Sequence, residues 1–302
     1  DGVTNGMQLL SLLGKDKDGA IKTNCSSLQK RYDLYSEVME AVIKLNNEHA
    51  LLGRQEALAW MGKITRKTVK RAVMTTPYGV TPRGIATQLV KDGFCEDLTG
   101  RKGINAAYMR DLIVESLKTS VKAASTIMEY FQDCAKALAA QEIPLKWITP
   151  TGVECTQAYH KLSKTRVMTL MGEFSLWDED ATLGLDERKN HLAASPNVIH
   201  SFDAGLLQCV ALRLKHDYGV SSTAFIHDSY GVHHGQLDCG ENAVDVLHKV
   251  IREEAHRIFK GNCLVDFRDH IHSYAPHVEL PMPPAQGDFN IDELLNSPYF
   301  FS

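Results

Sequence analysis

From Ser27 to Leu52 the apolar side chains Leu28, Tyr32, Tyr35, Val38, Met39, Val42, Ile43 and Leu45 return at helical spacing, and Gly53 follows as a stop. This pattern predicts an amphipathic helix. A short helix is expected over Gln55 to Met61, then a basic one from Thr65, which Pro77 must end because it lacks an N–H and restricts the residue before it. Tyr78 and Gly79 are thereby placed at a helix terminus. Ile104 to Ile143 contains neither Gly nor Pro apart from its flanks and is rich in Ala, Leu, Met and Lys, which predicts one or two long helices built for packing. The pattern then changes. KWITPTGVECTQAY reads as two short strands around a Pro-Thr-Gly turn, and TRVMTLMGEFSLW alternates as a β-ribbon with Gly172 near its tip. His200 to Tyr218 is helical again, SSTAFIHDSYGVHH reads as a hairpin around a Tyr-Gly turn with Asp228 near the bend, and Glu241 to Phe259 returns to helix.

With 302 residues, 44% of them hydrophobic, the chain is long enough to bury a sizeable core, and no repeat, low-complexity tract or linker divides it. The formal net charge of -4 argues against a surface coated in nucleic acid, but a cleft needs only local positive charge. The cysteines Cys25, Cys95, Cys134, Cys155, Cys209, Cys239 and Cys263 form no CxxC pair, so neither a zinc site nor a disulfide framework is indicated. No stretch approaches the ~18 apolar residues of a membrane span. There is no initiator Met, and the first residue already falls in a candidate site. The chain is therefore expected to be a piece of a longer enzyme, a processed fragment or one subunit of a split enzyme.

Three features suggest chemistry. Asp1 opens the segment DGVTNGMQLLS, Asp228 sits in the short strand pattern AFIHDSYG, and the basic helix TRKTVKRAVMTTPYG lies between them. Two carboxylates from distant segments are what phosphoryl transfer through two Mg²⁺ ions requires, the ions standing roughly 3.5 to 4 Å apart. Arg66, Lys70, Met74 and Tyr78 are spaced by four and form a slanted stripe on one helix face. On that stripe Arg66 and Lys70 are suited to a triphosphate, Lys70 also to protonating the leaving pyrophosphate, and Tyr78 to packing by the sugar and base. A solvated basic helix would show the same spacing, and a lone aspartate in a loop is ordinarily a cap or turn residue. The order of all three together carries the inference. His227 beside Asp228 reads as a group that orients the carboxylate. His227, His233 and His234 lack the i, i+4 spacing of a helical zinc site.

With these segments in hand, the chain resembles the single-subunit, phage-type DNA-dependent RNA polymerases. DGVTNGMQLLS is similar to the family's first palm motif, RKTVKRAVMTTPYG to its fingers motif, and HDSYG to its second palm motif. RYDLYSEV, with Asp33 and Tyr35, resembles a further fingers segment, SPNVIHSFDA the segment that bears His200, and LPMPPAQGDFNIDELLNSPYFFS the C-terminal tail, which would make Ser302 a natural end. The resemblance implies an α+β fold: a right-hand palm of antiparallel sheet and helices, plus a mainly helical fingers subdomain. Palm would occupy residues 1–29 and 200–302, and fingers 30–199, with a β-ribbon at about 163–178. It implies that Asp1 and Asp228 ligate two Mg²⁺ ions with help from the Gly2 carbonyl. Arg66 and Lys70 would contact the phosphates, and Tyr78 with His200 would sense the ribose and the new base pair. Tyr35 and His227 fall in the substrate-binding set. The ribbon from Arg166 to Trp177 is similar to the hairpin that reads promoter DNA in phage members. The implied partners are a DNA template, the nascent RNA and ribonucleoside triphosphates. The N-terminal promoter-binding region and thumb would come in cis or from a second polypeptide. The implied location is the cytoplasm of a phage-infected host, with the mitochondrial matrix as alternative.

Two residues depart from the family pattern: Leu9 stands where a histidine is common, and Pro77 where a small unconstrained residue is usual, which bears on the geometry of Tyr78. A family-A DNA polymerase shares the palm-and-fingers plan but resembles DYSQIELR in its first motif, and its glutamate that blocks a 2′-hydroxyl has no counterpart here. Ribonucleotide chemistry is therefore favoured. A rival of another class is an incomplete subunit that binds nucleic acid and becomes active only with a partner chain.

Overall fold

The computed structural model describes residue 2 and residues 4–301. The fold is mixed α+β and mostly helical, with small antiparallel two-stranded sheets. The chain opens with α1 (Asn5–Leu13) and α2 (Lys17–Lys22), followed by α3 (Leu34–Leu51), α4 (Gln55–Trp60), α5 (Arg66–Thr75) and α6 (Pro82–Lys91). Two long helices, α7 (Lys102–Ser120) and α8 (Lys122–Ala139), lead to the ribbons β1 (Leu145–Ile148) with β2 (Glu154–Gln157) and β3 (Leu162–Thr169) with β4 (Gly172–Glu179). Helix α9 (Glu187–Tyr218), the hairpin β5 (Thr223–Ile226) with β6 (Ser229–Val232), α10 (Ala243–Phe259) and α11 (Cys263–Tyr274) complete it.

Every residue of α1 is buried, polar Asn5, Gln8 and Ser11 included, as expected of a helix enclosed on all sides. It packs against α2, α8 and α9 and so lies at the centre of the core. Buried polar groups need partners. Gln8 Nε2 finds two, donating to the Thr23 carbonyl at 2.9 Å and the Phe300 carbonyl at 2.8 Å, which ties the tail to α1. Gly2 pairs with Phe301 as an isolated antiparallel bridge beside them.

Several boundaries differ from the sequence expectation for identifiable reasons. Helix α3 begins at Leu34 because Asp33 caps it, accepting from the Tyr35 N–H at 3.1 Å and the Ser36 hydroxyl at 2.7 Å. The segment before it is held in a turn by Asn24, which pairs with the Tyr32 backbone through both its amide atoms. Helix α9 starts before His200 and runs through Pro196. Residues 199 and 200, where fingers and palm were expected to divide, are consecutive within it. The β5–β6 bend lies at His227 and Asp228, with Tyr230 and Gly231 inside β6 rather than in the turn. Antiparallel pairing among the described residues takes the form of separate two-stranded ribbons and isolated bridges. All seven cysteines are free thiols, and no described helix is long and apolar enough to cross a membrane.

Candidate active site

The cleft that gathers the predicted residues is lined by Gly2, Asn5 and Gly6, by Tyr35 at the start of α3, by Pro77 and Tyr78 after α5, and by Asp228 in the β5–β6 turn. Four segments far apart in sequence meet there. The Gly2 N–H donates to the Asp228 carbonyl at 2.9 Å, so the backbone beside position 1 is fastened to the hairpin bend. A Cβ at Gly2 would stand 3.1 Å from Asn5 Cβ and 3.4 Å from Asp228 Cβ, a tight fit that suits glycine. Asp1 itself lies outside the described residues.

Helix α5 presents the basic stripe. The Thr65 N–H donates to Thr68 Oγ1 at 3.2 Å at its start, and Pro77 closes its end. Arg66 is held by Asp33 through its Nε at 2.6 Å and a second guanidinium nitrogen at 3.1 Å, and the guanidinium lies 4.8 Å from the centre of the Tyr35 ring. Lys70 Nζ is 5.9 Å from the same ring, is exposed, and has no carboxylate partner among the described residues. Burial works to raise the Asp33 carboxyl. The hydrogen bonds from Arg66 and Ser36 and the Arg66 charge nonetheless hold it below the ordinary carboxylate range. Burial pushes the Tyr35 hydroxyl up to about 12, against the pull of Arg66.

Past the end of α5, the Tyr78 ring stacks on His200 with centroids 4.5 Å apart and planes 15° from parallel. Burial and the charges of Asp203 and Asp228 raise the pKa of its hydroxyl and keep it protonated, with the Gly6 backbone opposing them. Gly79 has φ +75°, which lets its backbone approach the Pro196 ring in α9, where a Cβ would be 3.1 Å from Pro196 Cγ. Pro77, a departure from the expected pattern, is buried against Gly6 and fixes the turn that carries Tyr78. Burial lowers the pKa of His200, opposed by Asp203 and assisted by His227. His227 is exposed and takes φ +52°, an unfavourable backbone for a residue with a Cβ.

Sequence reasoning missed Asp203 and Asn5. Asp203 is buried, three residues after His200 on α9, and accepts a 2.6 Å hydrogen bond from Asn5 Nδ2. Burial raises its carboxyl, with Asp228 adding to the rise and Asn5 opposing it. The fit to a divalent cation rests on Asp228. Among the described residues its carboxylate has no hydrogen-bond or ion-pair partner, and a second acid lies within electrostatic reach. That excess of negative charge is what a hard, oxygen-seeking cation neutralises. Among the described residues no group of three or more candidate metal ligands is gathered.

The cleft is thus bounded by a basic helix, an aromatic stack and a hairpin-borne aspartate. The DNA-dependent RNA polymerase family model matches residues 1–278, and the chain belongs to the single-subunit, phage-type DNA-dependent RNA polymerase family. It is 31% identical, over its whole length, to the mitochondrial DNA-directed RNA polymerase 1B of Nicotiana tabacum, spanning 30% of that protein. It is 30% identical to the mitochondrial DNA-directed RNA polymerase 1 of Arabidopsis thaliana, spanning 31% of it. A shorter relative, DNA-directed RNA polymerase 2A of Nicotiana tabacum, is 30% identical and matched over 90% of its length. The chain thus spans about 30% of the long curated relatives that it matches.

Proposed function

We infer that this chain carries the catalytic centre of template-directed RNA synthesis, adding ribonucleoside monophosphates to an RNA 3′ end on a DNA template. The observation that supports it most is the meeting of Gly2, Tyr35, Tyr78 and Asp228 in one cleft beside Arg66, Lys70 and His200. Asp1 and Asp228, with the Gly2 carbonyl, would hold two Mg²⁺ ions, which would supply charge stabilisation at the attacking and leaving oxygens. Arg66, steered by Asp33, and Lys70 bind the triphosphate, and Lys70 gives a proton to the departing pyrophosphate; the Asp33 hydrogen bond to Arg66 and the closeness of both cations to Tyr35 support this reading. Tyr78, braced between His200 and Gly6, presents its edge to the ribose, and Tyr35 keeps the two cations apart on one surface. His227 orients the Asp228 turn.

In this reading residues 1–29 and 200–302 form palm and 30–199 fingers. The exposed β3–β4 ribbon, which bears Arg166 and Trp177, contacts promoter DNA. The remaining length of the long relatives would be supplied in cis or by a second polypeptide. Because the chain spans only about 30% of those relatives, the second reading is of a subunit that binds nucleic acid and depends on a partner for activity. The relatives named above for their compartment are mitochondrial, which favours an organelle over the phage-infected cytoplasm as the working location.

The test is extension of an RNA primer on a DNA template by the full-length polymerase. Asp1→Asn and Asp228→Asn should each abolish extension while folding and template binding persist. Tyr78→Phe should relax rejection of deoxynucleotides more than it slows ribonucleotide addition. Full extension by either aspartate variant would remove the metal assignment, and unchanged discrimination would remove Tyr78 from sugar sensing.

A further inference from the structure

The Tyr78 ring sits in a slot whose two walls come from different helices. One wall is His200 on α9, stacked at 4.5 Å. The other is Gly6 on α1, where a Cβ would come within 3.1 Å of the Tyr78 ring and 2.6 Å of Pro77 Cβ. Next to Gly6 stands Asn5, and one helical turn beyond His200 stands Asp203. Asn5 and Asp203 join the two walls through a 2.6 Å hydrogen bond that spans 198 positions of sequence. Both residues are buried, at 3% and 7% exposure, and Asp203 receives no other hydrogen bond among the described residues.

Resting on the reading that Tyr78 senses the sugar, we propose that the Asn5–Asp203 hydrogen bond is a spacer that sets the width of the Tyr78 slot and thereby positions that ring for ribose selection. Neither residue needs to touch substrate. The pair acts by fixing how far α1 stands from α9 at the point where the ring is held. Nearby contacts leave the ring little freedom of its own. Pro77 is buried behind it, and Gly79 lies against the Pro196 ring. A change in the separation of the helices is thus passed directly to the Tyr78 hydroxyl. Displacements of about 1 Å at a reacting site are worth on the order of a hundredfold in rate.

The test compares, in the full-length polymerase, the ratio of kcat/KM for rNTP and dNTP addition to an RNA primer on a DNA template. Asp203→Ala alone would leave the Asn5 amide buried without an acceptor, so the decisive variant is Asn5→Ala/Asp203→Ala, which removes both partners together and avoids that cost. Asp203→Asn keeps an acceptor for Asn5. Thermal unfolding of each variant is followed alongside. We expect the double variant to fold and its ratio to fall by about ten- to a hundredfold, while Asp203→Asn stays within about threefold of the parent, less than half a decade in free-energy terms. Tyr78→Phe is the control. If it lowers the ratio while the folded double variant matches the parent, the spacer is overturned and sugar sensing by Tyr78 stands. If Tyr78→Phe leaves the ratio unchanged, sugar sensing falls and takes the spacer with it.

Discussion

Replacing Gly6 with alanine tests the construction of the cleft with a single methyl group. The added Cβ would lie 2.6 Å from Pro77 Cβ, 3.0 Å from Pro77 Cγ and 3.1 Å from Tyr78 Cζ. Carbon atoms pack comfortably at about 3.5 to 4.0 Å, so something must move by about 1 Å. Few neighbours can do so. The proline ring has no rotamer to change, Tyr78 is stacked on His200, and α1 is buried along its length. Overpacking of this kind costs about 1 to 3 kcal/mol, and the better helix propensity of alanine returns up to about 1 kcal/mol. The net loss of stability should therefore lie between about 0 and 3 kcal/mol on those two ranges. Activity should suffer more, because a displacement of about 1 Å in the Tyr78 turn is enough for a loss of about a hundredfold. Primer extension with ribonucleotides and thermal unfolding of the full-length polymerase separate the two effects. Pro77→Gly in the Gly6→Ala background removes the atoms in collision and should restore part of the rate. Parental extension by Gly6→Ala alone would refute the packing argument.

Other positions give independent checks. Asp33→Asn should keep the α3 cap, since Asn serves there as well as Asp, and should leave stability within about 1 kcal/mol because the exposed Arg66 pair contributes little; nucleotide KM should rise, and an unchanged KM would remove Asp33 as the group that steers Arg66. His227→Gly relieves a φ of +52° and should stabilise the fold by about 1 kcal/mol, yet slow extension if the imidazole orients Asp228; stabilisation without loss of rate would assign His227 to the turn alone. Gln8→Leu leaves the Thr23 and Phe300 carbonyls without their shared donor and should cost about 1 to 3 kcal/mol, read from denaturant unfolding; a neutral result would show the tail is held by other contacts. Burial depresses the pKa of His200 below its ordinary 6.5, so between the depressed value and 6.5 the folded chain binds fewer protons than the unfolded one. The stability lost on protonating His200 is absent above 6.5 and sets in as pH falls through that window. The difference in unfolding free energy between parent and His200→Gln should accordingly shift against the parent as the solution is acidified, and a pH-independent difference would contradict the burial argument.

Much of this site was legible because its chemistry is local in sequence. Arg66, Lys70 and Met74 follow one another on α5 as helical spacing predicts, but α5 ends at Thr75, so Tyr78 stands beyond it in the turn that Pro77 forms rather than on the same helix face. The hairpin that carries Asp228 was visible from its β-branched and aromatic residues, but the Tyr-Gly pair misplaced the bend. The strained His-Asp turn is set by β5–β6 register, which local propensity does not encode. The helix expected from His200 begins at Glu187 and continues through Pro196, with Gly79 packed on the ring, a tertiary contact that sequence does not announce. The burial of α1 on all sides was hidden by its Asn, Gln and Ser, whose partners lie elsewhere in the chain. Asn5 and Asp203 are individually unremarked residues, and only the fold brings them within 2.6 Å.

The central claim is that the segment at position 1 and the hairpin turn at Asp228 share one metal centre. It is tested most directly by loading the full-length polymerase with Fe²⁺ in place of Mg²⁺ and mapping where locally generated hydroxyl radicals cut the backbone. The account predicts scission at two places distant in sequence, beside Gly2 and beside Asp228, both suppressed by excess Mg²⁺ and both lost in Asp228→Asn. Cutting at neither place, or cutting that persists unchanged in Asp228→Asn, would contradict it.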